Sequence, residues 1–182
     1  MSTFPAELSG AWTVDSAHST LSFAVKHAMI ATTRGKFTSF TGGATIDADN
    51  PAASTLWVDI DADRVETGSV DRDYHLKSND FFGAGANPKI SFRSTKVTVA
   101  RDEIRTVGDL TIKGVTKQVK VVWEFSGVAK DSSGNLRCAF EGSATVNRKD
   151  WGLNWSGALE AGGVLVADKV KLVLDIEAGK SV

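Results

Sequence analysis

The chain has 182 residues, of which 42% are hydrophobic and 24% charged, enough apolar content to bury a core without disulfides or metals. Lys and Arg total 21 against 22 Asp and Glu, and no cluster of like charges interrupts the chain, which argues against a nucleic-acid partner. No stretch approaches the roughly 18 apolar residues of a spanning helix, so membrane contact is expected to be peripheral at most.

The N-terminus, Met1-Ser-Thr-Phe-Pro-Ala-Glu, lacks the basic start and apolar run of a secretory signal, and the expected location is cytoplasmic. The single cysteine, Cys138, cannot close an intrachain disulfide and agrees with a reducing compartment. One domain spanning 1–182, with its core at about 12–178, is expected at this length.

Along the chain the dominant signal is period-two alternation, the mark of strands with one apolar face. It begins with Trp12 and Val14. Leu21, Phe23 and Val25 then share one phase, and His27 continues it. The segment Phe40 to Asp47 follows. Leu56, Val58 and Ile60 alternate against Trp57, Asp59 and Asp61. Between these strands and the next, Ser69 to Ser78 reads as a short helix with a capping serine, early Asp71 and Asp73, and late His75 and Lys77. Asn79 to Phe82 reads as a tight, partly buried turn.

Alternation resumes at Ile90 and Phe92, and passes through Ile104, Leu110 and Ile112 to Val119, Val121, Trp123 and Phe125. Leu136, Cys138, Phe140, Ala144 and Val146 continue it, and Val170, Leu172, Leu174 and Ile176 end it. The count is roughly eight strands by these pattern rules. Lys113-Gly114 and Asp131 to Asn135 read as hairpin turns, so neighbouring strands run antiparallel. Phase slips between Phe37 and Phe40 and between Phe92 and Val97 suggest bulges. Arg148 to Gly163 fits neither periodicity, and reads as a long loop whose Trp151 and Trp155 serve as a lid or as a structural corner.

Strands apolar on one face must pack as a sandwich or close into a barrel, and a closed eight-stranded barrel has room for one small ligand. The residues themselves leave that choice open. The three histidines invite a metal or acid–base reading, through the pairs Asp15/His18 and Asp73/His75, but they lie on separate elements without zinc-ligand spacing. Structural hydrogen bonding is the preferred reading, and for His27 also contact with a ligand head group. Asp59, Asp61 and Asp63 read as a solvated strand face. Cys138 reads as a buried, inert thiol.

Trp12-Thr-Val-Asp15-Ser-Ala-His18-Ser and Phe23-Ala-Val-Lys-His27 resemble the opening of the YceI-like family. Gly35-Lys-Phe37, Arg72-Asp73-Tyr-His75-Leu76, Asp80-Phe81-Phe82, Leu110 to Lys117 and Arg148-Lys-Asp150-Trp151-Gly152 follow in the same order. Two departures are Gly83, where that family often has an acidic residue, and the missing signal peptide.

The resemblance implies an all-β, antiparallel, eight-stranded lipocalin-like barrel with a short helical insertion near residues 69–82. It implies binding of a polyisoprenoid, quinone or comparable long-chain lipid, as carrier, store or sequestering protein, with no catalytic residue, metal or cofactor. The candidate ligand contacts on the strands are Phe23, Val25, His27, Phe37, Val58, Ile60, Phe92, Val121, Trp123, Phe140 and Ala144. Phe81, Trp151 and Trp155 join them from the turn and the long loop. Ala144, being small, is expected to leave room that a ligand occupies. The rival is a metal-dependent or histidine-based enzyme using His18, His27 and His75 on a small apolar substrate; a homodimer is left open.

Overall fold

The computed structural model describes residues 4–101, 103–157 and 165–182. The strands are β1 (Gly10–Val14), β2 (Thr20–His27), β3 (Ala31–Phe37), β4 (Phe40–Ile46), β5 (Thr55–Asp61) and β6 (Val65–Glu66). After the helix α1 (Val70–Lys77) come β7 (Lys89–Ala100), β8 (Glu103–Ile112), β9 (Val115–Lys130), β10 (Leu136–Asn147) and β11 (Val166–Lys180). None of the helices among the described residues is long and apolar enough to cross a membrane.

All pairings are antiparallel, in the order β1-β4-β5-β7-β8-β9-β10-β11, and β1 returns to β11 to close an eight-stranded barrel. The shorter β2, β3 and β6 extend this wall. β2 pairs with β11 from His27 to Thr20, and β1 takes over at Ala178 to Lys180. In the same way β3 and β4 pair with β2 and β1, and β6 and β5 with β3 and β4. Three long barrel strands are thus each broken once, at Asp15–Ser19, at Thr38–Ser39 and at the 3-10 turn Ala62–Arg64.

The slip between Phe37 and Phe40 is therefore one of these breaks and not a bulge: β3 and β4 are successive strands that do not pair with each other. The slip after Phe92 is a bulge, between Ser94 and Lys96 opposite β8. A further bulge lies between Ala139 and Phe140, where β9 carries the extra residue. Lys113 and Gly114 both take positive φ, 52° and 75°, as the tight hairpin between β8 and β9 requires. Helix α1 is capped by the Ser69 hydroxyl, which accepts from the Arg72 amide at 3.3 Å.

The barrel is hollow because large inward rings reach over glycines of the next strand. Phe23 stands opposite Gly35, and Trp123 opposite Gly142; Phe92 covers Gly108 diagonally. A Cβ at Gly35 or Gly108 would collide with the Phe ring, and one at Gly142 would lie 2.6 Å from the Trp123 ring. Without a Cβ beneath it, each ring folds against the wall, and the centre of the barrel stays open.

One end is filled. The β9–β10 ladder runs only to Ser143 opposite Val122. Beyond it, Trp151 packs with Val119, Val121 and Ala144 in one core cluster. Trp151 is buried, and its indole donates to the Leu110 carbonyl at 2.9 Å. Ala144 is buried within this cluster and does not line the central cavity. This corrects its assignment as a ligand contact: alternation gives the face of a strand but not what lies across from it.

Three substitutions check this packing. Gly142→Ala should displace Trp123, break the bond from its indole to Thr106 Oγ1 at 3.0 Å, and lower stability by about 1–3 kcal/mol in thermal or denaturant unfolding. Ala144→Trp should cost about the same or more by overpacking, whereas Thr145→Trp, on the exposed face, should stay within about 0.5 kcal/mol. An Ala144→Trp protein as stable as the parent would place open space where the structure has core.

Candidate ligand cavity

A cavity of about 680 Å³ runs along the barrel axis. Its floor is apolar and sealed by the N-terminal segment: Leu8 is fully buried, and the Trp12 indole donates to its carbonyl at 2.7 Å. Cys138 and Ala178 complete this floor cluster. Burial pushes the Cys138 thiol up to about 12, as an apolar site disfavours the thiolate.

Every nominated contact except Ala144 lines the cavity. β2 and β3 supply Phe23, Val25, His27 and Phe37; β5 and β7 supply Val58, Ile60 and Phe92. Val121 and Trp123 come from β9, and Phe140 from β10. Phe81, Trp151 and Trp155 are brought in by the segments after α1 and β10. Leu172 and Leu174 of β11, which period-two alternation places on the inner face, also line it. Leu165 lines it as well, and no periodic signal announced it.

The mouth is more polar. Lys26 and His27 border it at the end of β2, and Ser69, Asp71 and Arg72 border it at the start of α1. His27 is exposed at this rim, not enclosed in the apolar interior. His75 stands at the wall between two rings, meeting Phe81 and Trp155 edge-on with centroids 5.1 and 4.6 Å away. Its Nε2 shares a 2.8 Å hydrogen bond with Asp80. Asp73, the expected partner, instead accepts from the Thr67 amide and hydroxyl at 2.8 and 2.6 Å. Arg72 also reaches back, donating to the Thr67 hydroxyl and carbonyl at 2.7 and 2.6 Å. These bonds tie α1 to the barrel rim.

The histidines do not share one site. His18 lies outside the cavity, with Nδ1 2.9 Å from Asp15. That bond and Arg137 hold the Asp15 carboxyl down at about 2. Asp15, His18 and Glu177 could in principle gather a cation, but the Arg137 guanidinium stands 2.8 Å from Asp15 and 3.7 Å from Glu177 and supplies the positive charge. The acidic strand face is ion-paired across the sheet: Asp59 meets Arg93 at 2.9 Å, and Asp61 binds Lys89 and Ser39. Asp63 belongs to the 3-10 turn, not to the strand.

The long loop is held by a buried cation. Arg148 is 5% exposed, and its guanidinium donates to four carbonyls: Leu153 and Trp155 at 2.6 Å, Ala167 at 2.9 Å and Val166 at 3.2 Å. It joins the segment carrying Trp155 to the start of β11. Trp151 is therefore the structural corner and Trp155 the cover at the cavity; residues 158–163 of the expected loop lie outside the described residues.

Arg148→Met should leave these carbonyls without their donor and destabilise by about 2–4 kcal/mol in chemical unfolding. Arg148→Lys should recover only part of the loss, because one ammonium cannot span four acceptors in a planar fork. Full stability of either variant would contradict the role given to Arg148.

Comparison with known proteins agrees with this architecture. The YceI-like domain profile matches residues 12–178. A UPF0312 protein of Pseudomonas paraeruginosa is 36% identical over 160 residues, covering 88% of this chain and 81% of its own. A UPF0312 protein of Staphylococcus aureus is 36% identical over 167 residues, with 91% and 95% covered. Among solved structures, Burkholderia cenocepacia BcnA superposes with a TM-score of 0.76 at 25% identity, over 90% of this chain and 98% of its own. A polyisoprenoid binding domain from Saccharophagus degradans superposes with a TM-score of 0.70 at 13% identity, over 93% and 98%, a likeness of fold. By its matched residues and by the barrel they build, this chain belongs to the YceI-like family.

Proposed function

We propose that the protein binds one long-chain isoprenoid, quinone or similar amphipathic lipid along the barrel axis, as a carrier, store or sequestering protein. The observation that carries this reading is the cavity itself, about 680 Å³ behind an almost wholly apolar wall, with a sealed floor and a polar rim. That volume falls within the range of ligand pockets. Burying each methylene-sized group yields about 0.8 kcal/mol, so one five-carbon unit offers roughly 4 kcal/mol before ordering costs. A few such units support micromolar binding without reactive side chains.

The polar groups at the mouth support a head group bound there. Arg72, His75 and His27 are at the mouth, while the hydroxyl of Thr106, buried in the wall, is occupied by the Trp123 indole. A tail inside and a head at the rim is the orientation this polarity favours. A solved protein of the same fold is named for polyisoprenoid binding, which agrees with the reading without carrying it.

Extraction of the purified protein into organic solvent, followed by mass spectrometry, should release a long-chain amphiphile near one per chain. Leu174→Trp, on the mid-wall, should abolish that recovery and weaken binding of a fluorescent isoprenoid about tenfold or more, with stability little changed because the ring enters free space. Stoichiometric metal with no lipid, or unaltered binding in Leu174→Trp, would contradict the proposal.

A further inference from the structure

Among the described residues, the most exposed large apolar side chains before the C-terminus are Ile30 at 86%, Val70 at 85%, Tyr74 at 79% and Met29 at 63%. They belong to two elements only. Met29 and Ile30 form the tip of the β2–β3 hairpin, and Val70 and Tyr74 lie on the face of α1 turned away from Arg72, His75 and Leu76, which line the cavity. Both elements border the same mouth, the hairpin through Lys26 and His27 and the helix through Ser69, Asp71 and Arg72.

The hairpin tip is held outward by its backbone. Ala28 and Met29 take φ of 51° and 63°, a left-handed pair that favours Asn and Gly. The Ala28 amide donates to the Leu165 carbonyl at 2.8 Å, and the Ile30 amide to the His27 carbonyl at 3.2 Å. A tight turn of Ala and Met, followed by an exposed Ile, presents apolar surface where a turn-forming polar pair would be the relaxed choice.

The charges beside this surface lean positive. The hairpin carries exposed Lys26 and Arg34, with His27, and no carboxylate. On α1, Arg72 and Lys77 face Asp71 and Asp73, and Asp73 is engaged by Thr67. Apolar side chains set among basic ones fit the interface of an anionic bilayer, into which the former insert while the latter meet head groups.

We infer that the β2–β3 hairpin tip and the outer face of α1 are a membrane-docking surface, which seats the cavity mouth on an anionic lipid bilayer. This rests on the proposed lipid-binding function, because a ligand that resides in a bilayer must enter or leave through this opening. Docking sets the mouth against the lipid, so that the tail passes from one apolar phase to the other without crossing water.

The protein is tested by sedimentation with vesicles of phosphatidylcholine alone and of phosphatidylcholine mixed with phosphatidylglycerol. It should pellet with the anionic vesicles, less so at high salt. Met29→Glu combined with Ile30→Glu should reduce pelleting about tenfold. Val173→Glu, on the outer face of β11 away from the mouth, should not.

Uptake of fluorophore-tagged geranylgeraniol separates docking from cavity binding. The double variant should match the parent in uptake from detergent micelles and be slower in uptake from vesicles. A parent that binds the probe from micelles but never pellets with anionic vesicles would overturn docking and leave the cavity reading intact. A double variant that pellets like the parent would also overturn it. Failure to bind the probe from either source would instead remove the lipid-binding function on which the inference rests. Should sedimentation equilibrium show a dimer that the double variant abolishes, without vesicle binding by the parent, the surface is an interface between two copies and the inference is wrong.

Discussion

The structure depends on the closure of the sheet at β11. This strand pairs with β10 along one edge and with β2 and then β1 along the other, so the sheet returns on itself and every inward side chain faces a lumen instead of a second layer. An open sheet with the same alternation would have to find another apolar face to cover it. Closure satisfies the ladder edges of these strands and makes the apolar stripe an enclosed surface. Whether that surface meets itself or leaves space then depends on side-chain volume, and the rings resting on Gly35, Gly108 and Gly142 decide for space.

Floor and mouth are built by opposite means. At the floor, Leu8, Trp12, Cys138 and Ala178 form a packed apolar cluster that excludes water and needs one internal hydrogen bond for the indole. At the mouth, polar groups do the work: Arg148 gathers four carbonyls, and Thr67 receives both Asp73 and Arg72. Carbonyls at the end of a barrel cannot all be paired by neighbouring strands, so they need donors from elsewhere. A guanidinium with several donors in one plane serves several of them at once. The result is an opening with a fixed polar frame around an apolar interior, the polarity an amphiphile matches.

Much of the wall is legible in the sequence. Period-two alternation assigned Phe23, Val58, Phe92, Val121 and Phe140 to the inner face, and the ladder registers keep those phases together. The helix was marked by Ser69 and by charges ordered along its dipole. What alternation could not convey is depth. Ala144 has the inward phase yet lies under Trp151, because β9 and β10 part there and the aperiodic corner fills the gap. Arg148 was unreadable for a related reason: a buried cation breaks the usual rule for charged residues, and only the position of four carbonyls explains it. His75 pairs with Asp80 and not with Asp73, because Asp73 reaches back to Thr67 and leaves His75 to the following turn. Gly35, Gly108 and Gly142 carry no signal of their own in the sequence, and their role follows only from the aromatic rings that reach over them from the neighbouring strands.

The proposed function requires that a single long ligand occupy the apolar barrel of this YceI-like protein from floor to mouth. A crystal structure of the protein as isolated, without added ligand, tests it most directly. Continuous elongated density is expected along the axis, with its tail near Cys138 and Trp12 and its head beside His75 and Arg72. An interior filled by the protein's own side chains, or by an ordered chain of hydrogen-bonded waters, would contradict it.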